Sequence, residues 1–165
     1  MSESDELKAS QRLKLLYLRD IFLRHTSDSE SLTRSQISDL LLEEYGISEG
    51  RKAFGEDIEA LRSYGMDIQW TNGRTAAYRL SSREFELAEL KLLADAVSSA
   101  KFLTIKQSET LLNKLGTLCS ENEAQQLSRT VYVNGRVKQS NKGVLYNADT
   151  INHAISTKPL RKIQF

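Results

Sequence analysis

The hydrophobic period of this chain changes at Gly65, and no other feature constrains the fold as strongly. Ahead of Gly65, apolar residues recur at spacings of three and four; after it, Met66-Asp67-Ile68-Gln69-Trp70 alternates apolar and polar. The first spacing lays an apolar stripe along a helix, the second an apolar face along a strand. Thr71-Asn72-Gly73-Arg74 comes next, and Ala76-Ala77-Tyr78-Arg79-Leu80 returns. A type I′ turn needs positive φ at both central residues, so Asn72-Gly73 between two such runs predicts a β-hairpin.

Three helices are expected before the hairpin. After a polar tail over residues 1–10, the first runs from Gln11 to about His25, with Leu13, Leu16, Tyr17 and Leu23 or Ile21 on one stripe. The all-polar stretch 26–31 reads as a loop. Thr33 with Gln36 forms a capping-box pattern that opens the second helix, Ile37, Leu40 and Leu41 face inward, and Gly46 stops it. A third helix, capped by Ser48 or Gly50, runs to Ser63 or Tyr64 with Phe54, Ile58 and Leu61 as its buried edge. Three helices and a hairpin, with a tight helix-turn-helix over 33–64, is the order of a winged helix-turn-helix, here spanning 11–81.

The remainder reads as helical. Ser82 is expected to cap a helix through Phe85, Leu87, Leu90, Leu93, Ala94 and Val97 to about Ala100; Thr104 with Gln107 opens the next, with Leu111, Leu112, Leu115 and Leu118 inside. A short helix from Glu121 to Arg129, a strand over 130–133, and a helix opened by Asn147 or Asp149 and ended by Pro159 complete the pattern. The fold class expected is therefore α+β, mostly helical: a winged helix-turn-helix followed by a helical linker or dimerisation region over 82–158, with 159–165 alternating like the first strand of a further β domain. The apolar faces of 85–118 are wider than a short hairpin can cover. They pack either on a second copy, giving a homodimer, or within the chain.

Composition excludes several classes. With 39% hydrophobic and 27% charged residues the chain is suited to a globular fold rather than disorder. The acidic start Met1-Ser2-Glu3-Ser4-Asp5-Glu6 is unlike a secretory signal, and no apolar run approaches the roughly 20 residues that span a bilayer. One cysteine, Cys119, cannot form an internal disulfide, which fits a reducing cytoplasm. The net charge is +1, but residues 1–80 carry 11 Lys and Arg against 14 Asp and Glu, and residues 81–165 carry 12 against 8. Bulk charge does not point the first half at nucleic acid, so that case rests on where the charges sit.

Catalytic chemistry finds little support. His25, His153 and Cys119 lie far apart in sequence, no cluster has zinc-ligand spacing, and no glycine-rich phosphate loop occurs. Neither an enzyme nor a cofactor is expected.

The third helix and the hairpin carry the functional reading. With Phe54, Ile58 and Leu61 turned to the core, the opposite face is expected to show Glu49, Lys52, Ala53, Glu56 and Glu59, with Arg51 and Arg62 on a flank. A recognition helix enters the major groove amino-terminus first, which puts Arg51, Lys52, Ala53 and Glu56 nearest the bases. Arginine and lysine donate to guanine O6 and N7, glutamate accepts from cytosine N4, and alanine touches a thymine methyl. Glu56 has a second reading, an ion pair with Lys52 one turn back. Arg34 and Ser35, at the start of the second helix, are candidate phosphate donors. Arg74, at the hairpin tip, is a candidate minor-groove or phosphate contact, or else a solvated turn residue. Trp70 and Tyr78 read as hairpin packing.

Two segments resemble a known family. Arg51-Lys52-Ala53-Phe54-Gly55-Glu56-Asp57-Ile58-Glu59-Ala60-Leu61-Arg62, with Gly65-Met66-Asp67-Ile68, resembles the third helix and first wing strand of DeoR-like regulators. Residues 85–97 and the segment Arg129-Thr130-Val131-Tyr132-Val133-Asn134-Gly135-Arg136-Val137-Lys138 look like bacterial WYL-domain transcriptional regulators. The chain departs from the family pattern with Ala53 for its usual Thr, Gly55 for its aromatic residue and Glu56 for its frequent basic residue. The resemblance implies a DNA-binding regulator whose partner is double-stranded DNA. It also implies that the WYL sensor barrel is absent, since Trp70 is the only tryptophan and residue 165 falls where that barrel's first strand would begin; no small-molecule effector is then expected. The alternative is a protein-interaction module, or a DNA-inactive partner of a full-length regulator.

Overall fold

The computed structural model describes residues 3–71, 75–131, 146–147, 150–151, 153 and 155, with side chains from residue 13 onward and none for 129–131. The described elements run α1 (Glu3–His25), β1 (Leu32–Thr33), α2 (Arg34–Tyr45), α3 (Arg51–Ser63), β2 (Ile68–Thr71), β3 (Ala77–Leu80), α4 (Leu87–Ser99), α5 (Ile105–Gly116) and α6 (Glu121–Val131). The fold is α+β and mostly helical, with one antiparallel sheet in the order β1-β3-β2. Ile68 pairs with Leu80 and Trp70 with Tyr78 across the hairpin, while Leu32 pairs with Tyr78 on the other side. The hairpin tip, residues 72–74, lies outside the described residues, as do the expected strand over 160–165 and the stop at Pro159.

Local chemistry sets most boundaries. The Thr33 side chain accepts from the Gln36 amide while the Gln36 side chain accepts from the Thr33 amide, at 3.3 and 2.8 Å. Thr104 and Gln107 repeat the arrangement at α5. Gly46 ends α2 at φ 67, the left-handed conformation that costs a side-chain-bearing residue energy. Gly50 caps α3 with extended backbone and no side-chain bond.

Several expectations are corrected. α1 begins at Glu3, not Gln11. Its buried stripe is Leu18, Ile21 and Phe22, while Leu13 and Leu16 are exposed. α4 is capped by Glu86, whose amide donates to Glu89, rather than by Ser82. The residues ahead of it are held against α1 instead: Arg83 donates to the Leu23 and Thr26 carbonyls. Thr130 and Val131 are helical, not strand. Ser120 and Glu123 exchange hydrogen bonds at the start of α6, a capping box not among the sequence expectations, and the helix it opens continues through these β-branched residues.

Two apolar clusters result. The first joins Leu18, Ile21 and Phe22 of α1, Ile37 and Leu41 of α2, Phe54, Ile58 and Leu61 of α3, and Ile68 and Leu80 of the hairpin. The second joins Leu90, Ala94, Cys119 and Leu127, with Leu112 and Leu115 partly buried against them and Leu118 more exposed. Polar contacts tie the second to the end of α1. Arg24 donates to Glu121 at 2.7 and 2.9 Å, and Glu30 accepts from Ser120 and Asn122 at 3.0 and 2.6 Å. Thr26 links α1 to β3, donating to the Phe22 carbonyl and accepting from the Leu80 amide.

Candidate nucleic-acid interface

The buried edge of α3 fixes how the helix presents itself. Phe54, Ile58 and Leu61 are in the core, and the Phe54 ring meets Tyr78 edge-on at 5.2 Å. The opposite side of the helix is left to solvent. Arg51, Lys52 and Glu56 are exposed there, and Ala53 is half-buried on a flank. Lys52 Nζ lies 3.9 Å from a Glu56 carboxylate oxygen, and both side chains are largely exposed. Such a pair contributes a few tenths of a kcal/mol, about 0.3–0.5, so it is easily exchanged for another partner.

Glu49 is not on that face. Its carboxyl is fully buried beneath the start of α3, 3.1 Å from Lys14 of α1, and Lys14 also pairs with Asp57 of α3. Glu49 lies ahead of the extended Gly50 N-cap and outside α3, so a helical wheel does not apply to it; its carboxylate turns instead to the lysine it shares with Asp57. Burial raises the Glu49 carboxyl to about 7, Asp57 adds to the rise, and Lys14 opposes it.

The two candidate phosphate donors separate. Ser35 is exposed. Arg34 is turned inward: its guanidinium lies 5.7 Å from the centroid of the Phe54 ring and donates to the Glu49 carbonyl at 3.4 Å. These contacts join α2 to the turn before α3. Arg74 lies outside the described residues.

The hairpin adds residues whose sequence positions suggest only packing or a flank. Gln69, Trp70 and Thr71 of β2 are all exposed. Arg62, anchored to Glu59 at 3.1 Å, lies over the Trp70 ring at 4.8 Å and so bridges the end of α3 to the hairpin. The spacing of Arg62 and Trp70 carries no local signal, because the two residues meet only when the hairpin folds back.

The groups weighed for catalysis are engaged elsewhere. His25 lies between Glu44 and Glu121, at 3.2 and 3.9 Å. Cys119 is buried, its thiol pushed up to about 11 by burial and by Glu123. Among the described residues no three His, Cys, Asp or Glu side chains are placed to share a metal ion, and no helix is long and apolar enough to cross a membrane. Compared with known proteins, the chain matches no family model, no curated protein and no solved structure.

Proposed function

We propose that this chain is a sequence-specific, double-stranded-DNA-binding transcriptional regulator of the winged helix-turn-helix type, acting as a homodimer in the cytoplasm and performing no catalysis. The observation that carries the reading is the amino-terminal turn of α3: Arg51 and Lys52 stand outward there, while the opposite edge of the same helix is locked in the core by Phe54, Ile58 and Leu61. A helix held this way fits a major groove about 12 Å wide, and its first turn meets the base edges. Arg51 and Lys52 donate to guanine, Glu56 exchanges Lys52 for a cytosine amine, and Ser35 donates to a phosphate. The hairpin is the wing, with Arg74 at its tip reaching the backbone or minor groove. The resemblance of residues 51–68, 85–97 and 129–138 to WYL-domain regulators supports the same assignment. The exposed residues Leu92, Phe102 and Ile105 supply apolar surface for the second copy.

The test is titration of labelled genomic duplex fragments at several salt concentrations. Affinity falls steeply with salt if phosphates are neutralised; a flat response ends the proposal. Lys52→Ala blunts sequence preference, whereas Arg74→Ala weakens all duplexes about equally. One observation favours a second reading, a protein-interaction module: Glu56 and Glu59 are both about two-thirds exposed on the outward side of α3. A pull-down run beside the gel shift separates the two.

A further inference from the structure

The seat of α3 is built around a charge imbalance. Lys14 on α1 is the shared partner of Glu49, in the turn before α3, and Asp57, inside α3. All three side chains are mostly or fully buried, with 13% of Lys14, 16% of Asp57 and none of Glu49 exposed. The fourth charged group facing this point is Arg34 of α2, and it spends its hydrogen bond on the Glu49 backbone carbonyl rather than on the carboxyl. Glu49 Oε1 and Asp57 Oδ2 are buried against the Lys14 ammonium, and Glu49 Oε2 is buried with them. Two ionised carboxylates are acceptors only, and one lysine neutralises one of them. A proton on Glu49 removes the surplus charge and turns one carboxyl into a donor toward Asp57.

We propose that Lys14, Glu49 and Asp57 are positioning residues that seat the base-reading helix firmly when Glu49 is protonated and loosen it when Glu49 ionises, so that duplex binding responds to pH near neutrality. This rests on the DNA-binding reading above and names a regulation of that same surface. The elevated Glu49 carboxyl, near 7, sets the range. A carboxyl held above its ordinary 4.5 stabilises the seated helix fully below that value, and the contribution fades as pH rises through 7. From pH 6 to pH 8 the linkage amounts to roughly a tenfold change in the opening equilibrium of α3.

The experiment measures amide hydrogen exchange of α3 in the full chain at pH 6, 7 and 8, corrected for intrinsic exchange, without DNA. Protection of α3 amides falls roughly tenfold across the range in the unaltered chain, stays flat in Glu49→Gln, and shifts its midpoint to lower pH in Asp57→Asn, where one repelling charge is gone. A contact that merely holds the fold together does not move that midpoint. Flat protection in the unaltered chain, or the same slope in Glu49→Gln, overturns the proposal. In a parallel fluorescence titration with the labelled genomic fragments, loss of pH dependence in Glu49→Gln supports the coupling to binding, and retention of it overturns that coupling. Absence of duplex binding at every pH, with the α3 response intact, defeats the DNA-binding reading alone.

Discussion

Replacing Lys14 with methionine keeps the aliphatic stem and deletes the charge, and the cost can be worked from the geometry around it. Lys14 Nζ is 3.1 Å from a carboxylate oxygen of Glu49, whose side chain has no exposure, and it pairs as well with Asp57. At an effective dielectric near 20, one such contact is worth about 5 kcal/mol of Coulomb attraction. Desolvation of the three groups offsets much of that in the intact chain. Removing only the cation keeps the desolvation cost and loses the attraction, so the expected loss at pH 8 is about 3–5 kcal/mol, comparable to the whole stability of many small domains. At pH 5.5 the loss is smaller. Glu49 sits near 7 with Lys14 pulling it down and stays protonated to higher pH without Lys14, so the loss at pH 5.5 is smaller than at pH 8 by at most about 1.4 kcal/mol, the linkage of one pH unit. Urea denaturation monitored by circular dichroism at the two pH values measures both numbers. A loss below about 1 kcal/mol at pH 8, or equal losses at both pH values, refutes the account of a buried, proton-linked cluster.

Other sites give further expectations. A Cβ built on Gly55 meets nothing within 4 Å, so Gly55→Ala should raise stability by about 0.5–1 kcal/mol through helix propensity alone, read as a shift in the urea midpoint. Phe54→Ala removes a core ring packed against Tyr78 and beneath Arg34, and should cost about 3–5 kcal/mol in the same assay. With its thiol raised to about 11, Cys119 should resist iodoacetamide at pH 8 in the folded chain and react promptly in urea; prompt reaction without urea means the thiol is not buried as described. With Arg51, Lys52 and Arg74 the cations each copy brings to the duplex on the proposed reading, affinity should fall with salt at a logarithmic slope of roughly −3 per copy, and a slope several-fold steeper would place the interface elsewhere.

The features legible in the sequence are local ones. Thr33 and Gln36 meet within one helical turn, as do Thr104 and Gln107, and both capping boxes form as their spacing predicts. The Phe54, Ile58 and Leu61 edge is also local, because one helix carries the whole pattern. A helical wheel misplaces Glu49 because the residue lies ahead of the Gly50 cap, outside α3, and no spacing reveals a pair with Lys14 made across the fold. Arg34 escapes a local reading on the same grounds: a helix start is a plausible phosphate site until Phe54 arrives beneath the guanidinium. Ser82 loses its capping role to Glu86 because Arg83 reaches the end of α1 and holds the intervening residues there. The leucines over residues 13–23 of α1 admit more than one stripe, and the one that turns inward, Leu18, Ile21 and Phe22, is chosen by packing against the other elements of the core.

Bulk charge and charge placement give different answers about the first half of this chain, and the structure explains the difference. Residues 1–80 carry more acids than bases, which on its own argues against a polyanion partner. Several of those acids are paired or hydrogen-bonded inside the fold, however. Glu49 and Asp57 surround Lys14; Glu44 and Asp20 lie against Arg24; Glu30 is bound by Ser120 and Asn122. The same contacts engage Lys14 and Arg24, and Arg34 is engaged by the Phe54 ring and the Glu49 carbonyl. What faces outward from the first turn of α3 is a small, exposed cationic point at Arg51 and Lys52, with Glu56 one turn behind. On the proposed DNA-binding reading, a surface of that size would supply modest phosphate affinity, and discrimination between sequences would have to come from base-edge contacts of α3 and from two copies on one duplex.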